Sequence, residues 1–185
     1  MTTIADRIKW VALRRIRGSS KAARSLGASI GQDCRILSFR VSSEPWLITI
    51  GDRVTVSSEV LFVTHDGGGW LFKKDGDRPF RYAPIAIGSD CFIGARSIIM
   101  PGVQIGDRCV IAAGSVVHRS VPAGVIVGGN PARIIGDFEN YRAKVTTHWR
   151  WQREQRGATY RERVDSIVDT SFLQPLSSSD VTPDR

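Results

Sequence analysis

The sequence lacks any apolar run long enough to cross a bilayer, and its start lacks one of signal-peptide length, because Trp10 to Leu13 runs at once into Arg14 and Arg15. The expectation is a cytoplasmic protein. Cysteines and histidines are scarce, three of each. In a reducing compartment the cysteines have packing as their role and not a disulfide framework. Helix-length segments between the short β-prone stretches are also missing, which excludes a βαβ design. At 185 residues with 42% hydrophobic content, one domain with a modest core is expected.

The net charge of +8 suggests nucleic acid until it is located. Residues 25–132 hold ten Lys or Arg against nine Asp or Glu, so the middle of the chain is nearly neutral. The surplus sits in residues 1–24, with seven basic residues against Asp6, and in 138–163, with seven against three. Without an aromatic-interleaved motif or a binding-fold signature, solvated helical faces explain it better, and no nucleic-acid partner is expected.

What is present is a period of six. From Ile87 the chain reads IGSDCF, IGARSI, IMPGVQ, IGDRCV, IAAGSV and VHRSVP. An aliphatic residue opens each frame (Ile87, Ile93, Ile99, Ile105, Ile111, Val117), and a small or β-branched one stands four places on (Cys91, Ser97, Val103, Cys109, Ser115, Val121). Six residues make a short strand and a corner, so three frames turn the chain through a triangle and a fourth stacks on the first. That is a solenoid. Gly or Ala follows the aliphatic where the corner is tight (Gly88, Gly94, Gly106, Ala112).

An earlier block carries the frame less regularly, as IGQDCR from Ile30, IGDRVT from Ile50, VSSEVL from Val56 and FVTHDG from Phe62. The spacing from Ile30 to Ile50 exceeds three frames by two residues, which predicts a small insertion near Ser42 to Trp46. A second break, about 67–86, is an extruded loop with Gly67-Gly68-Gly69, Trp70, Phe72, Phe80 and Tyr82, whose aromatics favour an ordered loop. The organisation expected is a basic helical cap over 1–24, the repeat over 25–135, a helical segment over 136–168 and a disordered tail over 169–185. In the first segment Ile4, Ile8, Val11 and Ile16 fall at helical spacing. Capping of the first coil is favoured there over peripheral contact with a membrane surface. In the third, Phe138, Tyr141, Val145 and Trp149 form one helical stripe.

Among residues able to do chemistry, His65 stands out because it occupies the corner where the chain leaves the solenoid for the loop, the kind of place where functional groups concentrate. His118 and His148 read as exposed or structural. Cys34, Cys91 and Cys109 all fall at the fifth frame position, which wants a small side chain.

The frames, the histidine before the loop and the closing GGNPARII from Gly128 resemble the hexapeptide-repeat acyltransferases, which include galactoside, maltose, xenobiotic and exopolysaccharide acetyltransferases. The likeness covers about Ile30 to Ile135. It implies a mainly β fold, a left-handed parallel β-helix, assembled as a homotrimer. It further implies transfer of an acetyl group from acetyl-CoA, a co-substrate and not a resident cofactor, to a hydroxyl or amine of a sugar-like acceptor. His65 matches the family's general base, with direct attack on the thioester. Its second nitrogen then needs a partner, for which Asp66 and a backbone carbonyl are the candidates. The coenzyme residues map to Gly94, Ala95, Ala113 and Gly114, with Arg119 and Arg133 for phosphate. For the acceptor, the loop itself offers the flat faces of Trp70 and Phe72 to a sugar ring and the carboxylates of Asp66, Asp75 and Asp77 to its hydroxyls, and no metal is called for. Two rivals remain at this point. A non-catalytic solenoid scaffold would keep the frames without needing His65, and a zinc enzyme of the carbonic anhydrase type would need three converging histidines that this spacing does not offer.

Overall fold

The computed structural model describes Ile8 and residues 19–175. Ile4, Val11 and Ile16 of the N-terminal stripe, and the tail beyond 175, lie outside the described residues.

Residues 29–128, apart from a segment that leaves after His65 and returns at Ile85, form the walls of a three-sided, left-handed parallel β-helix. One wall holds β1 (Ser29–Ile30), β4 (Ile48–Ile50), β9 (Ile85–Ile87) and β12 (Gln104–Ile105). The second holds β2 (Arg35–Ile36), β5 (Thr55–Val56), β10 (Phe92–Ile93), β13 (Val110–Ile111) and β15 (Val125–Gly128), and is closed by the antiparallel β16 (Arg133–Asp137). The third holds β3 (Arg40–Val41), β6 (Leu61–Phe62), β11 (Ile98–Ile99) and β14 (Val116–Val117). Equivalent frame positions stack in register, Ile93 on Ile111 and Ile99 on Val117. The first and fifth frame positions both point inward. Ile93, Ile99, Ile105 and Ile111 fill the centre with Val54, Val60, Cys91 and Cys109. The buried serines at the fifth position, Ser97 and Ser115, both donate to the Ala112 carbonyl, at 3.1 and 2.6 Å.

The corners differ from expectation in one respect. The residue that turns the chain is the fourth of the frame, not the second. Asp33, Arg53, Glu59, Asp90, Arg96 and Arg108 all have φ between 52° and 60°. The glycine at the second position serves a different end. A Cβ on Gly88 would stand 2.3 Å from Asp107 Oδ1 and 2.7 Å from Asp107 N, so the next coil leaves it no room. The left-handed corners are partly tied by ion pairs. Arg53 meets Asp90 through two bonds of 2.6 and 2.7 Å, and Arg96 meets Glu59 at 2.7 Å.

Below the first coil, α1 (Ser19–Ser25) buries Ala22 and Ala23. Ser20 Oγ donates to the Cys34 carbonyl at 2.7 Å, and Arg24 donates to the carbonyls of Ile30 and Gly31. Along α2 (Phe138–His148), Phe138, Tyr141 and Val145 are half-buried and Trp149 just beyond is exposed. Residues from 144 onward make a second compact unit. It contains α3 (Tyr160–Asp165), whose Thr159 cap accepts from Glu162 N while Glu162 Oε2 accepts from Thr159 N. Among the described residues, no helix is long and apolar enough to cross a membrane.

Candidate active site

The two irregularities of the repeat fall on one edge. Val41 stacks on Phe62, and Phe62 on Ile99, so counting three residues on brings Glu44, His65 and Gly102 to the same corner in successive coils. After Glu44 the chain makes a short 3-10 turn, Pro45–Leu47, before re-entering the wall at Ile48. After His65 it leaves as β7 (His65–Asp66), which pairs with β8 (Arg81–Tyr82) and returns to the wall at Ile85. The extruded segment is therefore 66–84, inserted between the fourth and fifth positions of a frame; it starts one residue and ends two residues before the 67–86 expected from the sequence.

Stacking puts the Glu44 carboxylate against the imidazole. Glu44 is 8% exposed, and its Oε2 lies 3.0 Å from His65 Nδ1 and 2.6 Å from Thr64 Oγ1. The proton order follows from the neighbours. Thr64 N donates to Ser42 Oγ at 2.8 Å, the Ser42 and Thr64 hydroxyls lie 2.9 Å apart, and the Thr64 hydroxyl donates to Glu44. A carboxylate receiving these bonds requires Nδ1 to be the donor, which leaves Nε2 with a free lone pair. Burial opposes the charge on Glu44. The bonds from His65 and Thr64, with the Ser43 N–H, outweigh it and hold the carboxyl below its ordinary pKa.

The partner of His65 is thus Glu44, which corrects the two candidates taken from the sequence. Asp66 is turned elsewhere, with Oδ1 accepting from Gly68 N at 2.8 Å. The imidazole also packs edge-on against Tyr82, its cross-strand neighbour, with ring centroids 5.8 Å apart. Tyr82 stacks on Phe80 at 5.9 Å and 10°.

Other expected residues are dispersed in an informative way. The Trp70 face that a sugar was to stack on is covered by Lys73 Nζ, 3.2 Å from the ring centroid. Phe72 is exposed and lines a pocket of about 280 Å³ with Asp66, Gly69, Pro79, Phe80 and Arg81. Gly94, Ala95, Ala113 and Gly114 gather at the corner between the second and third walls, where Gly114 N donates to Ala95 O at 2.8 Å. Arg119 lies on the His65 edge instead. It shares with Arg133, His118 and Ile134 a pocket of about 470 Å³. The cysteines are free thiols, and the Cys109 side chain and burial push the Cys91 thiol up, away from nucleophilic use.

Comparison with known proteins bears on the repeat and the fold. The pattern described as the hexapeptide repeat of succinyl-transferase matches residues 84–119. Protein CapG of Staphylococcus aureus is 49% identical over 130 residues, covering 69% of this chain and 76% of that protein. WcaF of Escherichia coli, described as a colanic acid biosynthesis acetyltransferase, is 31% identical over 134 residues, covering 60% of this chain and 70% of it. The fold matches the hexapeptide-repeat acetyltransferase VCA0836 of Vibrio cholerae at a TM-score of 0.55 and 23% identity, over 74% of this chain and 94% of that one. The stacked hexads, the shared length and the likeness of fold lead to one statement: the chain belongs to the hexapeptide-repeat acetyltransferases and is an enzyme of that family.

Proposed function

We propose that the protein moves an acetyl group from acetyl-CoA to a hydroxyl of a saccharide acceptor, with His65 as general base and no acyl-enzyme. The observation that carries this reading is the Glu44–His65 pair at the root of segment 66–84, with Nδ1 committed to the carboxylate at 3.0 Å. Nε2 is then the acceptor nitrogen. It takes the proton of the acceptor hydroxyl as that oxygen attacks the thioester carbonyl. When the tetrahedral intermediate collapses the C–S bond breaks, and the imidazolium returns the proton to the departing thiolate. Glu44 stabilises the imidazolium between these steps.

The donor is read as lying along the coils. Gly94, Ala95, Ala113 and Gly114 would offer backbone to its pantetheine arm, and Arg119 and Arg133 would meet its phosphates. These groups occupy different edges of one solenoid, with His65 on the edge of Arg119. A single extended ligand reaches both sets if a second copy closes the groove, which supports a homotrimer whose site is shared between subunits. Light scattering reads that state directly, and a monomer at micromolar concentration would remove the shared groove. Asp66 is held as an acceptor contact and not as the partner of His65. A saccharide acceptor is supported by the galactoside O-acetyltransferase of Escherichia coli, 37% identical over 99 residues, whose description names a galactoside. The three free thiols suit a cytoplasmic setting, which we adopt.

The test is thiol release from acetyl-CoA across a panel of sugars, for the wild type and His65→Ala. Loss of a general base lowers turnover by roughly 100-fold or more, with coenzyme affinity kept. Activity that survives His65→Ala but disappears in Cys91→Ala or Cys109→Ala would replace direct transfer by an acyl-enzyme route.

A further inference from the structure

Segment 66–84 carries four cations, Lys73, Lys74, Arg78 and Arg81. Two are engaged with rings. Lys73 covers Trp70, and Arg78 lies 4.9 Å from Trp70 and 4.3 Å from Phe80. Lys74 stands at the tip, its backbone paired with Asp77. Arg81 is different. Among the described residues it forms no ion pair and covers no ring. Its natural partner would be Asp66, directly opposite in the β7–β8 ladder, yet the two form no ion pair, and Asp66 Oδ1 accepts from Gly68 N instead.

The Arg81 guanidinium instead reaches the corner at Gly102, where an added Cβ would lie 3.4 Å from Nη2. Gly102 is the residue stacked after His65 on that edge. The unpaired guanidinium and the imidazole therefore stand at successive levels of one corner. Arg81 also lines the pocket whose open apolar wall is Phe72, 71% exposed and, among the described residues, stacked on no other ring.

We infer that the acceptor is anionic: Arg81 holds a carboxylate or phosphate on it, while the sugar ring rests against Phe72 and presents a hydroxyl to His65 Nε2. A planar guanidinium free of internal partners suits two-pronged recognition of such groups, and a neutral sugar would leave it unanswered. This deepens the acetyl-transfer reading and rests on it for the role of His65. The shared chemistry has two sources, the carboxylate of an acidic sugar and the phosphate of a phosphate-linked sugar.

Ligand-observed NMR with glucuronate, glucose 1-phosphate and glucose separates them, using the wild type, Arg81→Lys and Arg81→Met. At least one anion is expected to bind wild type about tenfold or more tightly than glucose, which corresponds to roughly 1.4 kcal/mol. That advantage should shrink in Arg81→Lys and vanish in Arg81→Met, with acetyl-CoA affinity unchanged in both. Preference for glucuronate identifies an acidic sugar, and preference for glucose 1-phosphate a phosphate-linked one. Equal binding of all three, an advantage that persists in Arg81→Met, or loss of acetyl-CoA in its place would overturn the inference. The parent reading fails separately, if acetyl-CoA does not raise the melting temperature of the wild type.

Discussion

Glu44 Oε2 and His65 Nδ1 lie 3.0 Å apart although the residues are 21 positions apart in sequence. They meet because each is the fourth residue of its frame on the same edge of consecutive coils. In both coils that fourth position is where the chain departs from the regular frame. The corner that elsewhere turns through a left-handed residue is here the exit point for additional chain.

Glu44 tests the pair without removing the base. Glu44→Gln keeps the size and loses the charge that steadies the imidazolium. A charge-assisted bond is worth about 1.5–3 kcal/mol, so kcat should fall roughly 10- to 100-fold. The KM for acetyl-CoA should stay put. Glu44→Ala should also cost about 1–3 kcal/mol of stability, since the buried Thr64 hydroxyl loses its acceptor. Steady-state kinetics and thermal melts of the two variants decide this, and an unchanged kcat in Glu44→Gln would leave the carboxylate with a packing role alone.

Acid should unmake the same interaction. The folded carboxyl of Glu44 titrates below its ordinary value of 4.5. A depressed carboxylate contributes stability that is fully present above the unfolded pKa and is lost as pH falls through the folded one. The melting temperatures of wild type and Glu44→Gln should therefore differ at neutral pH and converge as the pH falls below 4.5 and through the depressed folded value. A gap that stays constant across that range would contradict the depressed carboxyl.

Gly88 and Gly76 separate crowding from conformation. At Gly88 a Cβ would meet the next coil at 2.3 Å, whereas at Gly76, with φ of +82°, nothing lies within 4 Å. Gly88→Ala should cost about 3 kcal/mol by overpacking. Gly76→Ala should cost about 1–2 kcal/mol through its left-handed backbone alone. Denaturant melts giving the reverse order would mean that the coils can spread.

Removing residues 66–84 and joining His65 to Ile85 restores an unbroken frame across that corner. The shortened protein should fold and bind acetyl-CoA within a few-fold of wild type, yet transfer nothing to a sugar. If it kept its acceptor profile and lost acetyl-CoA, the segment would belong to the donor.

Much of this was legible in the sequence, because a six-residue period leaves few alternatives for where Ile93 or Ile111 can point. His65 was visible as a corner residue two places before the expected interruption at 67–86. Glu44 was not singled out, although the two residues in excess between Ile30 and Ile50 mark its coil as irregular. Its role depends on stacking, which a linear reading shows only after the coils are aligned. The left-handed corners were hidden by their chemistry, since Asp, Arg and Glu occupy a conformation usually betrayed by glycine. Lys73 over Trp70 was out of reach for another reason. The pairing is fixed by the path of the loop and by no repeat.

The contacts of Arg24 and Ser20 with the carbonyls of Ile30, Gly31 and Cys34 bear on how long the solenoid can be. A stack of identical coils has no intrinsic length, and its lowest rung offers a ready template to the top of another molecule. Here that rung is answered by a guanidinium and a hydroxyl, and covered by a helix that buries Ala22 and Ala23 against it. A further coil added at this pole would have to displace that guanidinium and that hydroxyl before it could pair with those carbonyls.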